Sequence, residues 1–399
     1  MKENMTQTLS AKSSQAPASI LCLGLGWFPK TPGGLERYVY ELTQTLAANQ
    51  DHVDLCGVGL PEEEGDFPIK FINLTSPTIS LPKRLWNSRN NFKNYLKNKD
   101  IPKPDAINLH FALYSLPILD LLPKDVPITF NFHGPWASES QQESVGQLAA
   151  FHVQQMIEKK VYSRCDRFIV LSEAFGQILH QQYGIAAEKI NVIPGGVDIN
   201  HFQPNLTRQE ARSKLGWHLH RPTIFTSRRL VNRMGLDKLL TAISLIKQQI
   251  PDIWLAIGGR GPLRETLQNQ VKELGLKDNV KFLGFLPEVD LPIAYQGADL
   301  TIMPSQSLEG FGLAMIESLA CGTPTLCTPV GGMPEILKPF APDLITSSCE
   351  AQAIASSLEM AILGKIPMPS RNECRDYAVN NYNWDKISQQ VRQVLLKGS

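Results

Sequence analysis

Residues Met303–Thr328 read MPSQSLEGFGLAMIESLACGTPTLCT. The apolar run Leu300–Met303 leads into this segment as a short buried strand. A loop carrying Glu309, Gly310, Phe311 and Gly312 follows, then an apolar helical stretch with Glu317, and Thr325–Cys327 closes it as another strand. Strand, crossover helix and strand in that order form a parallel pair, because antiparallel neighbours need only a tight turn. Gly310 and Gly312 let a ligand approach the backbone, and the free N–H groups at the helix start favour an anion. Glu309 can bind hydroxyls from the loop. Glu317, eight residues later, lies about two turns along on roughly the same face. Two acceptors about 8–12 Å apart suit a polyhydroxylated ligand with a phosphate between two sugars.

The alternation continues in both directions. Upstream, strands are expected at Ser19–Phe28, His52–Val58, Ile69–Leu74, Ala106–Phe111, Ile128–Phe132 and Phe168–Leu171, with a helix from Leu35 to Ala48. A second series comprises Thr223–Thr226, Ile253–Ile257 and Val280–Phe282. Its helices are expected near Gly235–Gln249, Pro262–Leu274, Leu291–Gln296 and Gly312–Ala320. The expected fold is α/β, with two Rossmann-like doubly wound domains facing a central cleft. Their limits are 18–197 and 198–380, joined near Pro194–Pro204. Asn381–Leu396 has helical spacing and is expected to cross back to the first domain within 381–397, and polar residues 1–17 read as a disordered tail. In such sheets ligands sit beyond the carboxyl ends of the strands, so the site belongs in the cleft.

Composition narrows the function. The 399 residues carry 39 Lys+Arg against 38 Asp+Glu, a net charge of +1, which argues against a general nucleic-acid binder. The seven cysteines are scattered without a C-x-x-C pair, so neither a disulfide framework nor a zinc site is expected. No apolar run reaches about 18 residues, and a cytoplasmic protein is the expectation. Gly24-x-Gly26 meets Pro29, and Gly259-Arg260-Gly261 meets Arg264, where a dinucleotide fingerprint needs its third glycine. An oxidoreductase is disfavoured on both counts.

Three further segments follow expected strands. Ser227–Lys238 (SRRLVNRMGLDK) supplies Arg228, Arg229 and Arg233. Such arginines can hold a diphosphate through charge-assisted bonds worth about 1.5–3 kcal/mol each. Asn131–Trp136 (NFHGPW) sets His133 at a strand end beside a Gly-Pro turn, and Lys30–Gly34 (KTPGG) brings Gly33 and Gly34 before a helix, where backbone N–H groups can meet a phosphate.

From about Ser19 to the C-terminal helix, the chain resembles the retaining glycosyltransferases of family 4, which adopt the GT-B fold. The glutamates of S-L-E-G-F-G-L-A-M-I-E match the family's paired-glutamate motif. The resemblance implies that Glu309 contacts the donor sugar, that Glu317 holds the nucleotide ribose, and that the backbone of Gly310, Phe311 and Gly312 lines the sugar pocket. It implies a diphosphate-binding role for Arg229, a donor-sugar contact for His133, and the N-terminal glycine loop for Gly33 and Gly34. Phe285–Pro287 would pack near the base. One departure stands out: Met234 occupies the place of a lysine and Arg228 that of a glycine. Arg228 or Arg233 is therefore expected to substitute for the lysine. No Asp-x-Asp pair occurs, which fits a metal-independent enzyme with no cofactor and a UDP- or GDP-linked sugar as co-substrate. The alternatives are a nucleotide-sugar epimerase or hydrolase of the same fold, and a non-catalytic sugar-nucleotide binder.

The acceptor side is less specified. His110 follows the strand before His133 and is read as lining it. Lys83–Lys103 holds seven basic residues and one acidic, interspersed with Leu85, Trp86, Phe92, Tyr95 and Leu96. Part of it can form a basic amphipathic helix resting on anionic lipid. A glycan or lipid-linked acceptor is the expectation.

Overall fold

The computed structural model describes residues 16–61, 69–98, 101–143 and 148–397. The expected tail, apart from Ala16 and Pro17, lies outside the described residues. Seven parallel strands form the first sheet: β1 (Ser19–Leu23), β2 (His52–Val58), β3 (Ile69–Thr75), β4 (Ala106–Leu109), β5 (Ile128–Phe132), β6 (Arg167–Val170) and β7 (Ile190–Val192). Their order is β3-β2-β1-β4-β5-β6-β7. Five parallel strands form the second: β8 (Thr223–Ser227), β9 (Trp254–Gly258), β10 (Val280–Gly284), β11 (Leu300–Met303) and β12 (Thr325–Cys327), in the order β10-β9-β8-β11-β12. Apart from the edge strand β10, whose Lys281 is exposed, the strands of the second sheet run from largely buried residues into glycine- or proline-bearing loops. Burial on both faces is what helices on both sides of a parallel sheet impose.

The strand order reverses between β1 and β4 in one sheet and between β8 and β11 in the other. Loops leaving adjacent strands there diverge to opposite faces and open a crevice. The loops at the four switch-point strands carry Gly33, His110, Arg228 and Glu309, which accounts for the clustering of motifs distant in sequence.

Two expectations need correction. β1 ends at Leu23 rather than Phe28: the following Gly24–Phe28 forms a loop in which Trp27 packs edge-on against Tyr40 and Phe71, at 4.8 and 4.7 Å. β7 was not expected at all, since Ile190–Val192 falls inside the segment read as leading to the linker.

The chain returns to the first domain through its last helix, Trp384–Leu396. Ile387, Val391 and Leu395 recur every four residues on its buried face, which packs on helix Gly34–Ala48 and on β4 and β5. Trp384 stacks edge-on against Tyr38 at 5.2 Å, and Arg392 grips the buried Asp51 carboxylate with bonds of 2.7 and 2.9 Å. Among the described residues, no helix is long and apolar enough to cross a membrane.

Candidate active site

Glu309 sits in the loop after β11, one residue beyond Leu308, whose φ of 49° lies in the left-handed region. That backbone conformation is costly for a branched side chain. It is anchored here by Arg233, which donates to the Leu308 carbonyl at 3.0 Å. The Glu309 carboxylate forms a buried ion pair with Arg228 and accepts a bond of 3.0 Å from Ser305 Oγ. Burial alone would raise its pKa; the charges of Arg228 and Arg233, with the bonds from Arg228 and Ser305, outweigh it and hold the carboxyl below its ordinary value. Glu309 is therefore an anion at neutral pH. Arg228 also reaches Ser305 Oγ, which lies 4.0 Å from Met234 Sδ. Its Nε is buried with no hydrogen-bond partner among the described residues.

Glu317 has different company. It lies on helix Leu313–Ala320, is 6% exposed, and accepts a bond of 2.8 Å from Tyr295. Arg37, from the first turn of helix Gly34–Ala48 in the other domain, approaches it to 3.6 Å and donates to Glu288 at 2.6 Å. The guanidinium stands 4.4 Å from the Phe28 ring and 5.3 Å from that of Phe202, and His201 Nε2 lies 3.1 Å from Glu288. Burial prevails at Glu317 over the opposing pull of Arg37 and Tyr295, and its pKa is raised.

His133 follows β5 and is half-buried, its Nε2 3.1 Å from Nδ1 of His110. Burial pushes its pKa down to about 3, so the ring is neutral. His110, expected to line the acceptor side, is only 1% exposed and stands behind His133 instead. Its position just beyond β4, which pairs with β5, places it there.

The glycine loops of the two domains meet. Gly33 caps helix Gly34–Ala48, and a Cβ on Gly34 would stand 3.9 Å from Leu313. Gly312 starts the Leu313–Ala320 helix at φ 102°, which only glycine adopts without strain. A Cβ on Gly310 would come within 2.7 Å of Phe175, and the Gly310 carbonyl accepts from Ser172 Oγ at 2.7 Å. The Phe311 ring packs on Tyr382 and against Gly195, so its backbone alone is available to line a pocket. Arg229 is exposed, and its charge pulls on Glu36 in the first turn of the facing helix. Arg233 lies 3.9 Å from Glu139 of the first domain, so it ties the Glu309 loop across the cleft. Phe285 is exposed beneath the Arg260 guanidinium, 5.3 Å away. Among the described residues, no group of three or more His, Cys, Asp or Glu side chains is placed to hold a metal ion.

Sequence reasoning missed Ser305, Arg37, Glu288, His201 and Tyr295. No motif marks them, because apart from the Ser305–Glu309 bond, four positions apart, their roles arise from contacts across 22 to 251 positions.

Comparison with known proteins accords with this architecture. Residues 32–201 match the Glycosyltransferase Family 4 description and residues 207–381 match Glycosyl transferases group 1. Between them the two matches cover most of the chain, which is similar to the family 4 glycosyltransferases and has the GT-B fold. Mannosylfructose-phosphate synthase of Agrobacterium fabrum is 34% identical over 43% of this chain, which spans only 40% of that relative's length. D-inositol 3-phosphate glycosyltransferase of Corynebacterium aurimucosum is 26% identical over 91% of this chain and 90% of its own length. Among solved structures, sucrose-phosphate synthase from Thermosynechococcus elongatus superposes with a TM-score of 0.74 at 22% identity, covering 94% of this chain and 98% of that one.

Proposed function

We propose that this chain is a retaining, metal-independent glycosyltransferase. It moves a sugar from a UDP- or GDP-linked donor to a hydroxyl of a glycan, a lipid-linked glycan or a small molecule. The observation that carries the reading is the Arg228–Glu309 pair seated on Ser305, with an Arg228 Nε donor buried and without a hydrogen-bond partner among the described residues. A fixed carboxylate beside a buried guanidinium suits a sugar joined to a diphosphate, with hydroxyls on one side and anionic oxygens on the other. The head of Arg228 reaches the same serine as the tip of Met234. It thus supplies charge where the family has a lysine, while Arg233 is occupied with the Leu308 carbonyl.

In this reading Arg229 and Arg228 stabilise the leaving diphosphate, and the sugar gains oxocarbenium character. Glu309 holds sugar hydroxyls and Glu317 takes the ribose. Neutral His133 hydrogen-bonds the donor sugar, and the acceptor hydroxyl attacks from the face that the diphosphate leaves. Contacts between the two domains exclude water and limit donor hydrolysis. The relatives' names include mannosylfructose-phosphate and inositol 3-phosphate, so sugar and inositol phosphates belong in the acceptor panel.

A peripheral membrane contact on the cytoplasmic side, consistent with a lipid-linked acceptor, is supported by helix Leu81–Lys97. It exposes Trp86, Leu81 and Leu96 beside Lys83, Lys93 and Lys97. Arg84, Arg89 and Lys103 are engaged with Tyr114, Asp120 and Asp125, and Lys99 lies outside the described residues. Flotation with anionic vesicles tests this contact: Trp86→Ala with Lys83→Glu should abolish flotation, and retained flotation would refute it.

The test of the main reading is a thermal-shift panel of UDP- and GDP-sugars, with Arg229→Ala as control. A rise in Tm with one nucleotide class, lost in the variant, is expected. No shift with any nucleotide would overturn the reading.

A further inference from the structure

β4 and β5 lie side by side, and each runs out through Asn-x-His: Asn108 on β4 with His110 just beyond it, and Asn131 on β5 with His133 just beyond it. Residues two apart in a strand share a face, so four polar side chains line one face of the sheet at its carboxyl end. Helix Gly34–Ala48 adds Tyr38, whose ring meets His133 edge-on at 4.9 Å. Asn108, His110, Asn131 and Tyr38 are all at most 1% exposed.

These groups form one continuous chain. The Tyr38 hydroxyl donates to Asn131 Oδ1 at 3.2 Å, and Asn131 Nδ2 donates to Asn108 Oδ1. Asn108 Nδ2 then meets His110 Nε2 at 3.0 Å, and His110 Nδ1 meets His133 Nε2 at 3.1 Å. An amide nitrogen only donates, so His110 Nε2 carries a lone pair and its proton sits on Nδ1. That proton goes to His133 Nε2, which leaves the His133 proton on Nδ1. Running the chain in reverse would make Tyr38 an acceptor and leave a buried phenolic proton without a partner, a costly arrangement. Burial keeps both rings neutral, as a single tautomer requires.

We propose that Tyr38, Asn131, Asn108 and His110 are positioning residues that fix His133 as its Nδ1–H tautomer. The ring then offers the cleft a hydrogen-bond donor and no acceptor. The ligand group it meets is an oxygen lone pair, such as that of a donor-sugar hydroxyl. This inference rests on the glycosyltransferase reading only for the identity of that ligand.

The test is multiple-bond 1H–15N NMR of the full chain labelled with 15N-histidine, with signals assigned by their loss in His133→Gln and His110→Gln. The wild type should show His133 protonated at Nδ1 alone. Tyr38→Phe keeps the ring packing but removes the end that sets polarity, and it should give a mixture of tautomers. His110→Gln can still accept from Asn108 and donate to His133, and should preserve the Nδ1–H form. In turnover assays, Tyr38→Phe should lower kcat about 2- to 10-fold, as expected for one impaired hydrogen bond, with nucleotide affinity unchanged. An Nε2–H signal in the wild type, or an unchanged single tautomer in Tyr38→Phe, overturns the proposal. The spectrum is read on the ligand-free protein, so a failure of sugar transfer counts against the functional reading and leaves the tautomer result standing.

Discussion

Replacing Arg37 with alanine removes a guanidinium that touches both Glu288 and Glu317 across the cleft. Two contributions are lost. The bond to Glu288 is 2.6 Å and charge-assisted, worth about 1.5–3 kcal/mol, and each ring contact adds about 0.5–1 kcal/mol. Glu317, its side chain 8% exposed, is then left without its counter-charge, an arrangement that costs about 3–5 kcal/mol unless the carboxyl takes up a proton. Because burial already holds the Glu317 pKa above its ordinary 4.5, protonation limits the loss. A net destabilisation of about 3 kcal/mol follows, or roughly 6–12 °C in Tm for a domain of this size.

The sign of the pH dependence is fixed by the same groups. Arg37 stabilises the ionised carboxylates, and both are protonated in acid. Its contribution through Glu288, whose pKa is lowered, is present above about pH 4.5 and fades as pH falls through that lowered value, whereas the part through Glu317, whose pKa is raised, is complete only above the raised value. The assay is thermal unfolding of wild type and Arg37→Ala at pH 4 and pH 8, with the Arg37→Ala/Glu317→Gln double variant alongside. The deficit should be larger at pH 8 than at pH 4, where the ring contacts still count, and Glu317→Gln should recover part of it at pH 8. A deficit independent of pH, or a double variant as unstable as the sum of the singles, would refute the reasoning.

Other perturbations probe the remaining parts. Arg228→Gly should lower kcat/KM about 100-fold, and adding Met234→Lys should recover most of it; a double variant no better than the single would show that Arg228 does not stand in for the lysine. Glu158, buried beneath Tyr162 and Tyr183, has its pKa pushed up to about 7 by burial. It weakens the fold as pH rises from about 4.5 through 7, so Glu158→Gln should flatten the fall in Tm between pH 5 and 8, and parallel curves would argue otherwise. Gly310→Ala should cost about 1–3 kcal/mol through its clash with Phe175; chemical denaturation should show the loss and its relief by Phe175→Leu.

The pattern of apolar runs was enough to read two parallel sheets, because burial on both faces leaves little polar residue inside a strand. β7 escaped because a three-residue edge strand, half exposed, has no such run. β1 was drawn too long because the apolar residues Trp27 and Phe28 pack in a loop as readily as in a strand. The motif residues stood out in the sequence because most of them sit in loops that follow strand ends, Glu317 on its helix excepted. Their partners did not. The pairing of Arg228 with Glu309 spans 81 positions and that of Arg37 with Glu288 spans 251, and local pattern says nothing of either. The twin Asn-x-His endings were the one available signal for the role of His110, and only the adjacency of β4 and β5 gives it meaning.

The most direct test of the central claim is NMR of the anomeric proton during turnover of the α-linked nucleotide sugar that stabilises the protein, with and without an acceptor panel. A retaining transferase should give an α-configured product, with donor consumption rising sharply when acceptor is added and abolished in Glu309→Gln. A β-configured product, or donor consumed equally fast without acceptor, would contradict it.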